Sequence, residues 1–297
     1  MQRRNEFSLR IGFIGAGRVA KGLAWGLAQS EHRVVAAASR SLSSAQQLAA
    51  RIQGCGASAD AQTVLDAADL IFLTVPDDAI ATLAASLVWR PGMAVVHTSG
   101  ATEVAALAPA AKQGAQTGGF HPLQFFADPE VARAGLPGCT IGIEAEEPLL
   151  SRLEGLAAAL QCRALRLPPG CRARYHASAH YAGGFVFALL KEAADMWQSF
   201  GASREDAVRA LVPLLRGTAT AAEQLGLARG LAGTYSRGDL GTVKKHLEDL
   251  ARLGPDALHL YCELALRSIP LGLERAGYDE QRAGEMRALL RAALEGQ

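Results

Sequence analysis

The chain has 297 residues, of which 49% are hydrophobic and 20% charged, and its formal net charge is +1. These values exclude a disordered chain, and the absence of a Lys/Arg block interleaved with aromatic residues argues against nucleic-acid binding. No apolar run reaches the ~18 residues of a membrane helix or resembles a signal peptide, so we expect a cytoplasmic protein with neither nucleic acid nor a membrane as partner. The five cysteines form no C-x-x-C pair, which favours reduced thiols over a disulfide framework or a zinc site.

A glycine-rich turn follows the first predicted strand, residues 10–14, and precedes a predicted helix at 21–29. Gly15 allows the chain to turn, and Gly17 lacks the side chain that would keep a pyrophosphate away from the backbone. Phosphates can then bind the free N–H groups at the start of the helix. A strand before the turn and a helix after it make this pattern typical of a dinucleotide-binding site. The residues that we expect to contact the cofactor here are Gly15, Gly17, Arg18 and Val19.

The end of the second predicted strand, residues 34–38, indicates which dinucleotide binds. An NAD enzyme has an Asp or Glu for the ribose 2′-hydroxyl ~20 residues past the glycines, whereas this chain has Ser39, Arg40 and Ser41. A guanidinium and neighbouring hydroxyls suit the 2′-phosphate of NADP. The alternative is that Arg40 is a solvated residue before the helix predicted at 43–51. We predict NADP as the cofactor, bound in part by these three residues.

The two halves of the chain have different patterns. The first alternates short apolar strands with helical stretches, which indicates a mostly parallel sheet covered by helices. Beyond Gly170 the strand signals end and long amphipathic helices follow. We predict an α/β cofactor-binding domain at residues 1–168 and an all-helical domain for substrate binding and dimerisation at residues 169–297, with a cleft between them. The other predicted strands are 70–75, 94–97, 116–120, 140–144 and 164–167, and the C-terminal helices are 175–198, 204–223, 240–253, 257–276 and 279–294.

Polar residues follow two of the predicted strands, at the sheet edge where parallel sheets bind ligands. The consecutive Asp77 and Asp78 could form an acid/base couple, but Asp is also favoured as the N-cap of a helix, here the one predicted at 79–87. The hydroxyls of Thr98 and Ser99 could contact cofactor or substrate, or form a turn. Our assignments are cofactor binding for Val75, Pro76 and Thr98, and catalysis for Ser99.

His121 directly follows the strand predicted at 116–120. Histidine titrates near neutrality, and hydride transfer to a carbonyl or imine needs a proton donor within hydrogen-bond reach. Pro122 restricts His121 to extended geometry, which suits a position at the end of a strand. The alternative is a buried histidine bonded to backbone. We predict that His121 handles the proton in catalysis.

His176 and His180 lie one helical turn apart, the spacing of two metal ligands on one helix face. The intervening residues lack the Glu of an H-E-x-x-H pattern, so we predict no metal site. At the start of the same helix, Tyr175 is a candidate for substrate binding and His176 for catalysis.

Arg237 precedes the helix predicted at 240–253. Gly238 and Asp239 between them are typical of a helix cap, because Asp is stabilised near the positive end of a helix. We assign Arg237 to the binding of a substrate carboxylate. The alternative is a solvated surface cation.

Seven short segments form a pattern that spans nearly the whole chain: residues 11–20, 75–78, 97–101, 121–124, 175–179, 214–220 and 237–243. In this order they resemble a family of Rossmann-like oxidoreductases whose C-terminal helical domain has no known function. The wider group includes pyrroline-5-carboxylate reductase, ketopantoate reductase and prephenate dehydrogenase. The resemblance implies a Rossmann-type α/β domain followed by an all-helical domain, NADP chemistry at the cleft between them, and a homodimer with interlocking helices.

Together these observations predict an NADP-dependent oxidoreductase that transfers a hydride between nicotinamide and a small carbonyl, imine or hydroxy-acid substrate. Two segments depart from the pattern of the relatives. Gly183 and Gly184 stand where relatives have an Asn, and residues 232–234 read Ala-Gly-Thr where relatives have Thr-Gly-Pro. These departures favour the alternative hypothesis, a non-catalytic NADP-binding sensor or scaffold protein.

Overall fold

The computed structural model of the chain describes residues 8–296. Its residues divide into two compact units, Met1–Gly184 and Phe185–Gln297, which we call the sheet unit and the helical unit. The division comes after Gly184 rather than at the predicted boundary of 168/169. The physical reason is a helix at Arg172–Ala182 that packs on the sheet, with Arg172 fully buried. The roles predicted for the two parts of the chain stay predictions.

The sheet unit contains one eight-stranded sheet. Its strands are β1 (Arg10–Ile14), β2 (Arg33–Ala38), β3 (Gly56–Ser58), β4 (Leu70–Leu73), β5 (Ala94–His97), β6 (Gln116–Leu123), β7 (Thr140–Ala145) and β8 (Arg163–Arg166). Their order is β3-β2-β1-β4-β5-β6-β7-β8, so the strand order reverses between β1 and β4. The strands β1 to β6 are parallel, whereas β7 is antiparallel to β6. The predicted mostly parallel α/β sheet is confirmed.

Helices cover both faces of this sheet. Successive side chains of a strand point to opposite faces, and β4 shows the result: Phe72 packs with Phe13 and Phe120 on one face, whereas Ile71 packs with Val95 on the other. A strand buried on both faces is an unbroken apolar run, which explains the sequence of β4. The helices of this unit are α1 (Arg18–Leu27), α2 (Leu42–Ala49), α3 (Gln62–Ala67), α4 (Asp77–Ser86), α5 (Ala108–Ala111), α6 (Pro129–Ala134), α7 (Leu149–Ala159) and α8 (Arg172–Ala182).

The last strand of the sheet differs from the others in exposure. All four side chains of β8 are exposed to solvent, and it pairs with β7. Arg166 of β8 donates two hydrogen bonds to Glu154 on α7, the longer at 3.0 Å.

Up to residue 296, the helical unit contains six further helices and most of a seventh. They are α9 (Gly184–Gln198), α10 (Arg204–Leu225), α11 (Leu227–Gly230), α12 (Thr234–Arg237), α13 (Leu240–Leu253), α14 (Pro255–Glu274) and α15 (Glu280–Glu295). The core lies between α13, α14 and α15 and includes Leu250, Ile269 and Met286. Among the described residues, α9 has one buried side chain, Ala194, and α10 has one, Ala207. Between residues 8 and 296, every helix is too short or too polar to span a bilayer.

One predicted helix proves to be two. The pattern at 175–198 predicts one continuous helix, but α8 ends at Ala182 and α9 begins at Gly184. Gly183 between them has φ −121° and ψ −89°, outside the helical region. Two consecutive glycines explain the break, because glycine is among the weakest helix formers.

Candidate functional site

The turn after β1 is held by glycine geometry and by a threonine. Gly15 has φ +97°, a conformation that favours glycine, and its N–H donates to the Ala38 carbonyl at the end of β2 at 2.8 Å. A Cβ at Gly15 would lie 2.5 Å from the carbonyl oxygen of Thr74. The Thr74 hydroxyl in turn donates to the Gly15 carbonyl at 2.7 Å. The turn is therefore fixed to the ends of β2 and β4, and sequence reasoning missed the part of Thr74.

The start of α1 is open toward solvent. Gly17 is the N-cap of α1, and among the described residues no side chain accepts a hydrogen bond from this helix end. A Cβ at Gly17 would meet no atom within 4 Å. Such a helix start attracts anions, because its first N–H groups lack acceptors. Of the two predicted neighbours, Arg18 is exposed and donates to the Ala127 carbonyl at 3.2 Å, and the side chain of Val19 packs on the core.

The turn after β2 is rich in hydroxyl groups. Ser41 is the N-cap of α2, and its Oγ lies 2.9 Å from the Oγ of Ser43. Ser39 Oγ accepts from the N–H of Ser41 at 3.3 Å, and Arg40 between them is exposed. Because Ile14 and Ala38 are register partners, this turn lies one strand away from the glycine turn.

The ends of β4 and β5 are joined through Ser99. Its hydroxyl donates to Asp77 at 2.6 Å and accepts from the backbone N–H of Ala101 and Thr102 at 3.2 and 2.9 Å. These bonds favour the turn-forming alternative for Ser99, and its catalytic role stays a prediction. The prediction of Asp77 or Asp78 as an N-cap is wrong, since α4 begins at Asp77 and its N-cap is Pro76. Val75, Pro76 and Thr98 lie in the same two loops.

Three of the predicted residues come together between β6 and α8. The Tyr175 hydroxyl lies 3.0 Å from His121 Nδ1, and the His176 ring is centred 5.5 Å from the His121 ring. The rings of His176 and His180 are centred 4.9 Å apart. Gly100 leaves room for this cluster, because a Cβ there would collide with His176 and lie 2.8 Å from His121 Nε2.

Burial controls the protonation of this cluster. It lowers the pKa of His121 to about 4, an effect to which His176 and Arg172 add. Burial, with His180, also lowers the pKa of His176, and burial raises the pKa of Tyr175 to about 12. At pH 7 the imidazoles of His121 and His176 are therefore neutral and the phenol keeps its proton. The sequence analysis expected His121 to titrate near neutrality, but its surroundings lower its pKa well below that range. A neutral imidazole can still accept a proton on one nitrogen and donate from the other.

A buried arginine that the sequence analysis missed anchors α8 to the sheet. Arg172 Nη2 donates to the Ser99 carbonyl at 2.6 Å, and Nη1 donates to Glu144 on β7 at 3.2 Å. The guanidinium lies against Gly119, where a Cβ would come within 2.7 Å of its central carbon. Tyr175 and the next residue follow one helical turn later, so this anchor sets their position against β6.

Glu103 and His97 also lie in the surroundings of Arg172. The Glu103 carboxylate accepts from the backbone N–H of Gly170 at 3.0 Å and of Arg172 at 3.2 Å, which satisfies the start of α8. His97 at the end of β5 is fully buried, and burial, followed by the charge of Arg172, lowers its pKa to about 4. No local sequence pattern predicts that Glu103 binds the start of α8 or that His97 is buried beside Arg172.

A cavity of about 430 Å³ adjoins the histidine cluster. The end of β6, the residues after it and the second half of α8 line it, and all belong to the sheet unit. Gly183 and Gly184 form part of its wall. Among the described residues, no three His, Cys, Asp or Glu side chains are placed to hold a metal ion.

Arg237 belongs to the helical unit, as the last residue of α12. Gly238 adopts the left-handed conformation after it, and the Asp239 side chain accepts from the N–H of Thr242 at 3.0 Å as the N-cap of α13. The predicted cap is confirmed. The binding of a substrate carboxylate by Arg237 stays a prediction.

Two family models match the chain. A Rossmann-like domain matches residues 3–122, and a domain of unknown function (DUF2520) matches residues 139–268. No curated protein matches the sequence. Solved structures that match over nearly the full chain have low sequence identity and therefore show a shared fold.

Three of these structures illustrate the range. A provisionally named NADP oxidoreductase from Bacteroides fragilis is 22% identical, with 97% of this chain and 99% of that chain covered and a TM-score of 0.66. For 1-pyrroline-5-carboxylate reductase from Streptococcus pyogenes the identity is 14%, the coverage 95% and 100%, and the TM-score 0.63. A reductive aminase from Aspergillus terreus, solved with NADPH and ethyl-5-oxohexanoate, is 16% identical, with 97% of this chain and 95% of that chain covered and a TM-score of 0.61. The chain thus combines a match to a Rossmann-like domain with a match to a C-terminal domain of unknown function, and it shares its fold with these structures.

Proposed function

We propose that the chain is an NADP(H)-dependent oxidoreductase that transfers a hydride between nicotinamide and a small carbonyl, imine or hydroxy-acid substrate. One observation carries this proposal: the glycine turn after β1 and the Ser-Arg-Ser turn after β2 lie beside the strand-order reversal between β1 and β4. Dinucleotides bind at this reversal in doubly wound sheets. The names of the similar structures, an NADP oxidoreductase and NADPH-bound aminases among them, support the same chemistry.

The residues present fit NADP. The open space before Gly17 and the free start of α1 suit a pyrophosphate. Arg40, with the hydroxyls of Ser39 and Ser41, suits the 2′-phosphate that distinguishes NADP from NAD. Val75, Pro76 and Thr98 would contact the nicotinamide half from the loops after β4 and β5. When bound, NADPH supplies the hydride.

The chain itself supplies the proton. In our proposal the Tyr175 hydroxyl donates to Nδ1 of His121, so that Nε2 carries a hydrogen toward the substrate. His121 donates this hydrogen to the oxygen or nitrogen of the reduced bond, while Tyr175 passes its proton to Nδ1 and regains one from solvent. His176 lies beside the same ring, with its centre 5.5 Å away.

The test combines turnover with cofactor binding. We expect NADPH oxidation with at least one member of a panel of keto acids, ketones and cyclic imines, and its loss in His121→Ala. Gly17→Ala should weaken NADPH binding at least ~10-fold without lowering stability, because its methyl group meets no protein atom. Gly155→Ala in α7, also in open space, is the matched control with unchanged binding. Calorimetry that detects no binding of NADP or NADPH would refute the proposal.

The choice of NADP has a separate test at Arg40. Arg40→Asp should lower the affinity for NADP at least ~10-fold relative to NAD, because it removes the charge that pairs with the 2′-phosphate. Equal affinities of the unmodified protein for NAD and NADP would contradict this assignment.

A second candidate function is an NADP-binding sensor or scaffold without catalysis. The saturated hydroxyl of Ser99 and the glycine wall of the cavity favour it, because both lack a free polar group to orient a substrate. Tight binding of NADPH without oxidation by any panel member would select this candidate.

We also propose a homodimer in the cytoplasm. The 22-residue helix α10 exposes Leu214 at 67% and Leu215 at 36%, and Ala207 is its one buried side chain among the described residues. An amphipathic helix gains most of its stability from packing of its apolar face, which favours a second copy as the partner. The thiols of all five cysteines are free, which fits a reducing compartment.

A further inference from the structure

The cavity beside His121 has a lining without acidic side chains, lysine or arginine among the described residues. Its polar groups are the rings of His121, His176 and His180 and the side chain of Gln124, and the rest is apolar or glycine, as at Leu123. Within the described part of the chain, no Lys, Arg, Asp or Glu side chain lines this cavity. Its volume, about 430 Å³, falls in the range of small-molecule sites.

The polar groups near this cavity already have partners in the protein. Arg172, which is fully buried, uses its guanidinium on the Ser99 carbonyl and on Glu144. Asp77 accepts the hydroxyl of Ser99. The amide nitrogen of Gln124 donates to the Gly135 carbonyl at 2.6 Å. None of these groups is available to balance the charge of a ligand.

His121, the proposed proton donor, does not replace the missing cation. With a pKa of about 4, roughly one His121 ring in a thousand is protonated at pH 7. A carboxylate that enters the cavity would lose its water without gaining a charged partner, which is unfavourable. A ketone, ester or imine needs one hydrogen-bond donor, which His121 Nε2 can provide, and apolar walls for the remainder.

From this lining we propose that the cavity takes a neutral, mostly apolar ketone, aldehyde or imine and discriminates against substrates that carry a carboxylate. The inference rests on the proposed function and narrows its three substrate classes. It is an alternative to the predicted binding of a substrate carboxylate by Arg237. The reaction is a two-electron reduction: the C=O or C=N carbon gains a hydride from NADPH, and the oxygen or nitrogen gains a proton through His121. NADP and an alcohol or amine are the products.

The test compares pairs of substrates that differ by one carboxylate. Suitable pairs are ethyl levulinate with levulinate, and 1-pyrroline with 1-pyrroline-5-carboxylate, each reduced with NADPH at pH 7. We expect the neutral member to have at least ~30-fold higher kcat/KM. Equal or higher kcat/KM for the acids would overturn the inference and leave the proposed function intact.

If no member of either substrate pair is turned over, the inference is tested by measuring how tightly the two members bind. That outcome would count against the proposed function, and the cavity is then tested through NMR shifts of the Leu123 methyl groups in the NADP complex. Larger shifts at lower concentration with the neutral member support the inference, and the opposite order overturns it.

A variant at the cavity wall provides an independent test. Leu123 is 39% exposed at the end of β6, so Leu123→Arg introduces a cation with little disturbance of the core. We expect this variant to raise kcat/KM, or affinity, for the acids at least ~10-fold relative to the neutral partners. Leu123→Met, which adds no charge, should keep the original preference. No change in preference with Leu123→Arg would contradict the inference.

Discussion

The sheet unit and the helical unit differ in how much of their apolar surface they bury. The sheet unit has a core on each face of its sheet, and consecutive residues of β4 contribute to both. The helical unit has a core between α13, α14 and α15, whereas α9 and α10 each bury a single residue among those described. The difference teaches that the first unit obtains its stability and its site geometry from contacts within itself. In the second unit, the exposed leucines of α10 favour the proposed second copy as the partner of that helix.

The largest effect should follow from the loss of the buried guanidinium in the sheet unit. Arg172→Met leaves Glu144 and the Ser99 carbonyl without their donor, and we expect a loss of about 3–5 kcal/mol in unfolding free energy. Urea unfolding followed by tryptophan fluorescence measures it in a Trp197→Phe background, in which the two remaining tryptophans, Trp25 and Trp89, both lie in this unit. Arg174→Met, at an exposed position of the same helix, is the control, with a change within about 0.5 kcal/mol. Similar losses in both variants would show that Arg172 is not an anchor.

Acid should weaken the sheet unit next. His97 and His121 have pKa values of about 4 in the folded protein against 6.5 in the unfolded chain, so the unfolded chain binds more protons between these limits. Their contribution to stability is complete above pH 6.5 and is lost as the pH falls toward 4. Between pH 7 and pH 5 we expect a loss of about 2 kcal/mol from His97 and less from the partly exposed His121.

Urea unfolding at the two pH values checks this expectation. His97→Gln should remove about half or more of the pH dependence, because the amide does not titrate in this range. An unchanged pH dependence in this variant would rule out His97 as its source.

A substitution on the exposed face of α10 should change the stability of the monomer little but weaken the proposed dimer strongly. Leu214→Glu places a charge on the exposed apolar face and should change monomer stability by about 0.5 kcal/mol or less, but raise the dimer dissociation constant at least ~10-fold. Sedimentation velocity measures the mass. Val131→Glu, at 70% exposure in the sheet unit, is the matched control with no effect on mass. The proposed dimer is excluded if the unmodified protein sediments as a monomer at all concentrations.

The smallest effect is expected from alanine substitutions of two glycines at exposed positions within helices. A Cβ at Gly155 of α7 or at Gly217 of α10 meets no atom of the chain within 4 Å. Gly155→Ala should stabilise the sheet unit by about 0.5–1 kcal/mol through helix propensity. Gly217→Ala should gain less, because in a dimer formed through α10 the methyl group would enter the interface. Equal gains in thermal unfolding would place Gly217 outside any interface.

Much of the fold could be predicted because local patterns determined it. The strand limits 10–14 and 94–97 and the helix limits 240–253 agree with β1, β5 and α13, since apolar runs or capping residues bound each element. The strand β3 escaped prediction because Gly56–Ser58 is three residues long and has no apolar run. The break at Gly183 escaped because the apolar pattern continues through it.

Sequence reasoning singled out three side chains that lie together in the structure, His121, Tyr175 and His176, but not the contacts between them. The predicted strand end at residue 120 is wrong, because β6 continues to Leu123 and His121 lies within it. Arg172 escaped notice because an arginine at the start of a helix looks like a solvated cation. Its burial depends on the missing side chain of Gly119, which is distant in sequence. The low pKa of His121 likewise depends on packing and not on a local pattern.

The outermost strand β8 has a consequence for self-association. A strand at the margin of a sheet offers unpaired backbone groups that can recruit strands from other molecules. β8 is four residues long and carries Arg163 and Arg166, the second of them paired with Glu154. Short length and positive charge make this margin a poor template for intermolecular strand addition.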